Sequence, residues 1–284
     1  MLPAARPKAP LRDALFRPLH LDGLRARLLP AGPAVATALV LSNGRANFEL
    51  LVLAALSWLI FYGLLRISLY QKQHSERISD LRDQLFSLWG LVGLVGPDHQ
   101  LLPALGNYAL DATRAHRLLW EIVQKQPRSV VELGPGASTV LLDLVRGPHI
   151  PRFELYSVEH DERFIESMRS LVAYHGIRDV HLIAAPLEPQ QFGKWSGNWY
   201  RRDALAQIPE GVDFLVVDGP PGTLTTQSRY PALLALRSRL AKGAVIFVDD
   251  ADRADERAMI EQWLQDDNSV RLQHDGRSYV ILTA

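Results

Sequence analysis

Apolar runs and apolar-periodic segments alternate along the chain from residue 110 to the C-terminus. Residues 129–133 form a short run with β-branched Val130 and Val131, which is typical of a buried strand. Residues 110–126 carry apolar side chains at helical spacing and stop at Pro127, so they predict a helix. The same alternation predicts strands at 153–159, 179–184, 212–218 and 244–249 and helices at 138–146, 161–175, 226–241 and 254–266.

Two closing strands, 269–274 and 277–283, flank Asp275-Gly276 and predict a hairpin. Residues 186–210 show no regular period and are predicted to be irregular. Strands that alternate with helices form a mostly parallel sheet with helices on both faces. The sequence therefore predicts an α/β fold, a doubly wound and mostly parallel Rossmann-like sheet with an antiparallel C-terminal hairpin.

The pattern is different near the N-terminus. No residue from Leu50 to Leu65 is charged, and with the residues up to Tyr70 the apolar segment reaches about 20 residues, one bilayer span. We predict a single transmembrane helix over 48–70, with a buried core helix as the alternative. Cationic residues close to the predicted span lie mainly on its C-terminal side, which places the rest of the chain in the cytoplasm. These residues are Arg66, Lys72, Arg77 and Arg82.

Two further segments complete the predicted domain organisation. Residues 1–47 form a basic tail rich in proline and alanine, predicted to be disordered, with a short amphipathic patch on an anionic membrane surface as the alternative. Residues 71–103 form a helical linker whose apolar stripe predicts a helix that packs on its own domain, or a short parallel coiled coil. Residues 104–284 form the α/β domain. The stripe consists of Ile78, Leu81, Leu85 and Leu88.

Composition narrows the possible functions. The formal net charge is +0 and the apolar fraction is 48%, so the chain can build a core and nothing in its charge argues for a nucleic-acid partner. The chain has no cysteine, which excludes disulfides, thiolate metal sites and a cysteine nucleophile. The remaining candidates for chemistry are the polar residues at the strand ends.

The first predicted strand ends in a glycine turn, Gly134-Pro135-Gly136, and a helical period begins near Ser138. Glycines let the backbone approach a ligand closely, and a helix N-terminus offers free N–H groups. The second predicted strand ends at Glu159, where an acid can hold a ribose diol. Strand, glycine turn, helix and a second acidic strand end together predict a nucleotide-binding site.

Four segments in order carry a resemblance to a known family. They read Glu-Leu-Gly-Pro-Gly from residue 132, Val-Glu-His-Asp from 158, Val-Val-Asp-Gly-Pro-Pro-Gly from 216 and Phe-Val-Asp-Asp-Ala-Asp-Arg from 247. The chain resembles the class I S-adenosylmethionine-dependent methyltransferases, and most of all a bacterial group with these motifs. The resemblance implies S-adenosylmethionine as cofactor and the bacterial inner membrane as the site of the predicted anchor.

The resemblance also implies roles for the residues of the glycine turn. The backbone at Gly134 and Gly136 would meet the methionine part of the cofactor. Ser138 and Thr139 would take its carboxylate, and Glu132 would lie near its amino group.

Three further cofactor contacts follow from the resemblance. Glu159 would bind the ribose hydroxyls, and His160 would lie beside the cofactor. The family often has an acid or amide after the third strand to read adenine, whereas this chain has an apolar segment there. Backbone groups around Ala185 would then read adenine, or Glu188 would reach back.

Three carboxylates, Asp218, Asp249 and Asp250, end two adjacent predicted strands and would repel one another. Such a cluster either holds a proton or surrounds a cation. Hard oxygen ligands suit Mg²⁺, and the arrangement resembles the metal-dependent O-methyltransferases. The alternative is that Asp218 faces the sulfonium or the substrate while Asp249 and Asp250 organise the loop.

Methyl transfer needs alignment, exclusion of water and, for a hydroxyl acceptor, a base. The candidate bases are Asp218, Asp250 and His160. We predict a membrane-anchored methyltransferase that acts on a hydroxyl of a sugar, a glycan or a lipid-linked acceptor. One alternative is a cofactor-binding membrane scaffold without catalysis. The other is a nicotinamide-dependent oxidoreductase. Thr139 argues against the oxidoreductase, because it replaces the third glycine of the dinucleotide fingerprint.

Overall fold

The computed structural model describes residues 48–95, 103–106, 110–146 and 150–284. The chain divides into two compact units, one up to Ser79 and the other from Asp80 to Ala284. The predicted tail over 1–47 lies outside the described residues, so its predicted disorder stays a prediction.

The described residues contain helices at most of the predicted positions. A short 3₁₀ turn over Arg237–Arg239 follows the sixth helix. The helices are α1 Phe48–Val95, α2 Ala112–Lys125, α3 Ala137–Val145, α4 Glu162–Tyr174, α5 Arg202–Leu205, α6 Pro231–Leu236 and α7 Ala254–Asp266.

The strands form a seven-stranded sheet of order β3-β2-β1-β6-β7-β9-β8 and a separate hairpin of β4 and β5. β9 runs antiparallel to β7 and to β8, whereas the pairs among β1, β2, β3, β6 and β7 are parallel. The predicted fold class is therefore confirmed. The strands are β1 Ser129–Leu133, β2 Glu154–Glu159, β3 Val180–Ala184, β4 Leu187–Phe192, β5 Trp195–Tyr200, β6 Val212–Val217, β7 Leu240–Asp249, β8 Arg271–Asp275 and β9 Tyr279–Thr283.

Alternate residues of the central strands enter two separate hydrophobic cores. In β1, Val130 packs into the core that holds α2 and α3, and Val131 packs into the core that holds α6 and α7. Successive side chains of a strand point to opposite faces of the sheet, so this sheet is covered on both faces. Its strand ends are the open edge at which ligands bind in such folds.

The predicted irregular segment 186–210 is wrong in part, because it contains the β4–β5 hairpin. Leu187 pairs with Tyr200 and Phe192 with Trp195 across antiparallel strands. The hairpin buries Trp199 and Tyr200 completely. Alternation is obscured here because both strands are half-exposed and contain Pro189 and Gly197.

Helix α1 continues through Gly90 to Val95. Gly90 allows a close approach, since a Cβ there would lie 2.5 Å from Nε2 of His116. Leu91 and Val95 are buried in the core that holds α2. The predicted stripe does not pack on its own domain, because Leu81, Leu85 and the other stripe positions are exposed.

The predicted transmembrane helix over 48–70 is not found as a separate element. One helix, α1, covers this segment and runs on through the charged residues after Tyr70. Within the described part of the chain, no helix has an apolar stretch long enough to cross a membrane.

Candidate active site

The glycine turn after β1 is held against the end of β6. Gly134 has φ of +87°, which favours glycine, and its N–H donates to the carbonyl of Val158. A Cβ at Gly134 would lie 3.0 Å from the backbone nitrogen of Gly219. The backbone N–H of Asp218 donates to the carbonyl of Leu133, so the two strand ends form one continuous edge.

Glu132 belongs to the framework of this turn. Its Oε2 accepts hydrogen bonds from Thr139 Oγ1 at 2.6 Å and from Ser157 Oγ at 3.0 Å, and the side chain is fully buried. Burial raises the pKa of Glu132. Thr139 Oγ1 also accepts from the N–H of Gly136. The hydroxyl of Thr139 is thus engaged by the protein, which weighs against its expected contact with the cofactor carboxylate.

The two carboxylate oxygens of Glu159, at the end of β2, have different surroundings. Oε1 accepts from the N–H groups of His160 and Asp161, each at 2.7 Å. Oε2 has no hydrogen-bond partner among the described residues, while the side chain lines a cavity. His160 Nδ1 lies 2.6 Å from Glu159 Oε1, and this neighbour raises the pKa of His160. A histidine held towards its charged form is a weaker base at neutral pH.

Two of the groups expected to read adenine after β3 already have partners within the protein. The N–H of Ala185 donates to the carbonyl of Glu159 at 2.7 Å, so it is already used. Glu188 lies on β4, where its Oε1 accepts from Gln190 Nε2. Phe164 on α4 is 42% exposed and lines both cavities described below, and no feature of the sequence singled it out.

Asp218, Asp249 and Asp250 do come together, with ligand-type oxygens within 4.8 Å of one another. Asp250 has a positive φ of +56°, which is uncommon for aspartate and turns the chain sharply after β7. The clustering predicted from the strand ends is therefore what the structure has.

Two arginines that the sequence analysis missed, the buried Arg229 and the partly buried Arg114, stand among these carboxylates. Arg114 Nη1, from α2, donates to both carboxylate oxygens of Asp249 at 3.0 Å and to Asp250 Oδ1 at 3.2 Å. Arg229 Nη2 donates to Asp218 Oδ1 at 3.1 Å and to Asp250 Oδ2 at 3.0 Å. Arg253 Nη1 lies 2.8 Å from Asp250 Oδ2 at the rim.

The arginines offset much of the repulsion on which the metal prediction rested. Every carboxylate oxygen of Asp249 and Asp250 accepts from a guanidinium, and Asp218 keeps only Oδ2 without a partner among the described residues. A divalent cation would have to displace those guanidinium groups. The donor set therefore does not fit Mg²⁺, and the metal prediction is not supported.

Burial still perturbs two of the carboxyl groups. Burial, followed by repulsion from Asp249, raises the pKa of Asp218 well above its usual value despite the nearby Arg229. Burial raises the pKa of Asp249 to about 6, against the opposing effect of Arg114. Asp218 keeps one carboxylate oxygen without a partner among the described residues, so by geometry it is the best placed of the three candidate bases.

Tyr200 is a further site residue that sequence reasoning missed. It ends β5, and its ring lies edge-on to that of His160 with centroids 6.4 Å apart. Its hydroxyl is buried and has no hydrogen-bond partner among the described residues. Burial, followed by the charge of Glu159, raises the pKa of Tyr200 well above its usual value, so the phenol is neutral. The missed hairpin explains why its position was not predicted.

Two cavities lie side by side at this edge and share Gly134, Pro135, Phe164 and Asp218. One, of about 750 Å³, is lined by seven acidic residues and three arginines and includes the predicted residues Glu159, His160, Asp249 and Asp250. The other, of about 610 Å³, is mainly apolar and includes Gly136 and Ser138. The predicted residues Glu132, Thr139 and Ala185 line neither cavity.

A protein-family model described as "Methyltransferase domain" matches residues 131–251. None of the curated proteins compared matches the chain significantly. The matched family model covers the glycine turn, Glu159, Tyr200 and the three clustered aspartates. The part of the chain that carries the site is thus similar to a methyltransferase domain.

One of two similar solved structures supports the same fold. SAH-bound methyltransferase PaMTH1 from Podospora anserina has a TM-score of 0.50 at 13% identity, over 74% of this chain and 94% of that chain. An O-methyltransferase from Bacillus cereus in complex with SAH has a TM-score of 0.46 at 16% identity, over 73% and 95% of the two chains. The first likeness shows a shared Rossmann-like methyltransferase fold.

Proposed function

We propose that this protein is a methyltransferase that uses S-adenosylmethionine to methylate a hydroxyl oxygen. The observation that carries the proposal is a pair of carboxylate oxygens without partners among the described residues, Glu159 Oε2 and Asp218 Oδ2, on one cavity beside the turn at Gly134. The family match over residues 131–251 supports it. The excess of acidic residues around the cavity also suits a cofactor with a positively charged sulfonium.

The cofactor would lie across the two adjoining cavities. Its methionine part would run over the backbone at Gly134 and Gly136, with Ser138 at the start of α3 near its carboxylate. The ribose hydroxyls would donate to Glu159 Oε2, because Oε1 is already held by two backbone N–H groups. The adenine ring would pack on Phe164, which faces both cavities.

The choice of oxygen as acceptor rests on Asp218. A hydroxyl must lose its proton during methyl transfer, and Asp218 Oδ2 is a carboxylate oxygen without a partner among the described residues. Asp250 is less suited, because Arg114, Arg229 and Arg253 all contact it. The segment Asp218-Gly-Pro-Pro-Gly222 also lacks the Asn/Asp-Pro-Pro-aromatic pattern of enzymes that methylate amino groups.

Calorimetric titration of the full chain with S-adenosylmethionine, S-adenosylhomocysteine and NADH tests the cofactor. We expect the first two to bind, and Glu159→Gln to weaken both about tenfold or more, because one charge-assisted ribose contact is lost. Glu154→Gln is the matched control, since Glu154 lies at the other end of β2 and contacts His181 on the surface. Binding of NADH alone would favour the oxidoreductase instead, and no binding would overturn the proposal.

A second test addresses catalysis. Transfer of a labelled methyl group to a panel of simple sugars, catechol and aniline separates oxygen from nitrogen acceptors. Transfer of the labelled methyl group to a sugar or to catechol would support the proposal. Transfer to aniline alone would contradict the assignment to oxygen. Cofactor binding without transfer to any acceptor would favour the non-catalytic scaffold.

We infer further that the domain works in the cytoplasm, where S-adenosylmethionine is made, and that α1 associates with the inner membrane of a bacterium. Large apolar side chains such as Leu59, Ile60 and Leu64 are exposed along this helix, and Arg66 and Lys72 follow them. A membrane-associated site would favour a glycan or lipid-linked acceptor through its high local concentration. Flotation of the full chain with anionic vesicles tests the association, and Leu59→Glu with Leu64→Glu should abolish it.

A further inference from the structure

The hydroxyl of Tyr200 is fully buried and unpartnered among the described residues, although the residue lines the larger cavity. A buried polar group without a partner is costly, and native structures rarely keep one without a reason. The glycine turns, Glu159 and the aspartate cluster do not use this hydroxyl. It is therefore free to meet a ligand atom.

The position of the hydroxyl is set by the turn after β6. A Cβ at Gly219 would lie 2.6 Å from the Tyr200 oxygen, so the absence of a side chain at Gly219 leaves the room that the phenol occupies. His160 lies beside the Tyr200 ring, and burial, together with the charges of Glu159 and Asp218, raises the pKa of the Tyr200 hydroxyl. The oxygen thus lies beside the turn after β6, near Asp218 and Glu159.

The charges around the hydroxyl favour a cationic ligand atom. Glu159 and Asp218 are the acidic neighbours, while Arg229 already donates to carboxylates and backbone carbonyls and His160 is paired with Glu159. A neutral phenol oxygen can accept from a polarised C–H or N–H group with its lone pairs. The proposed cofactor supplies such a group in the methyl of its sulfonium.

We propose that Tyr200 is a catalytic residue whose hydroxyl oxygen accepts a C–H···O contact from the methyl group that is transferred. This inference rests on the proposed function. In the reaction the acceptor oxygen bonds to the methyl carbon, the sulfur–methyl bond breaks, and its electron pair stays on sulfur. The acceptor's hydroxyl proton passes to Asp218. Tyr200 holds the methyl in line and distinguishes the cationic cofactor from its neutral product.

The test compares three ligands in calorimetric titrations of the full wild-type chain and of Tyr200→Phe. S-Adenosylmethionine carries the sulfonium methyl, sinefungin carries an ammonium group in its place, and S-adenosylhomocysteine carries neither. We expect Tyr200→Phe to weaken S-adenosylmethionine about two- to fivefold and sinefungin about tenfold. S-Adenosylhomocysteine should change by less than about twofold.

Tyr230→Phe is the matched control, because its hydroxyl contacts Asp266 away from the cavity. It should leave all three affinities unchanged, and thermal melting of both variants checks folding. Equal losses for the three ligands, or unchanged binding of S-adenosylmethionine and sinefungin, would overturn the role of Tyr200. Failure of the wild-type chain to bind any of them would instead overturn the proposed function, and this inference with it.

Discussion

Arg229 Nη2 donates to Asp218 Oδ1 over 3.1 Å, and this contact joins the segment before α6 to the end of β6. The same guanidinium donates to the carbonyls of Pro220 and Asp249 and to Asp250 Oδ2. Its side chain is only 4% exposed. One buried cation thus holds together the candidate base and the two loops that flank it.

Arg229→Leu should therefore destabilise the protein strongly. Removal of one partner of a buried ion pair leaves uncompensated carboxylates and typically costs about 3–5 kcal/mol. Arg253→Leu is the control, because Arg253 is 53% exposed and its one ion pair among the described residues is with Asp250, so it should cost about 1 kcal/mol or less. Urea unfolding measures both. Similar losses of unfolding free energy in the two variants would show that the buried contacts of Arg229 do not stabilise the protein more than a surface ion pair does.

Metal dependence should be absent in the wild-type protein and should appear when Arg114 is removed. Arg114→Ala frees both oxygens of Asp249, which would then lie near Asp218 without a compensating guanidinium. We expect Mg²⁺ and EDTA to leave the melting temperature of the wild type unchanged and Mg²⁺ to raise that of Arg114→Ala. A clear loss of wild-type stability in EDTA would contradict the account of the arginines.

The raised pKa of Asp249 predicts a pH dependence of stability. Its pKa is about 6 in the folded protein against an ordinary value of 3.8, so between these values the folded state binds more protons than the unfolded state. The contribution of Asp249 to the free energy of unfolding should thus fall as pH rises from about 4 to about 6, by on the order of 3 kcal/mol.

Asp249→Asn keeps an oxygen for Arg114 but cannot titrate, so it should lose this part of the slope. Urea unfolding of both proteins across this pH range makes the comparison. An unchanged slope in the variant would assign the pH dependence to another group.

Gly134 and Gly136 should respond differently to alanine, although both belong to one turn. Gly134→Ala forces a left-handed φ on alanine and places its Cβ 3.0 Å from the backbone of Gly219, so we expect a loss of about 1–3 kcal/mol. A Cβ at Gly136 would have no atom of the described residues within 4 Å, and alanine there should change stability by less than about 1 kcal/mol. Thermal melting distinguishes the two, and equal effects would argue against the close contact of the strand ends.

The pattern of residues was enough to predict the order of most strands and helices and the edge at which the site lies. Apolar runs such as 129–133 and periodic segments such as 254–266 report local burial, and strand ends converge because parallel strands share one direction. The meeting of Asp218, Asp249 and Asp250 could therefore be predicted, as could Glu159 at the end of β2.

Contacts between distant segments decide which cations compensate the carboxylates of the site and which residue completes its lining. Arg114 and Arg229 lie 135 and 20 positions from Asp249, and neither has a local pattern that shows it will be buried beside a carboxylate. The place of Tyr200 depends on a half-exposed hairpin whose strands pair with each other outside the main sheet. Long-range pairing of charges and packing of an isolated hairpin are set by contacts between distant segments, which a period along the chain does not record.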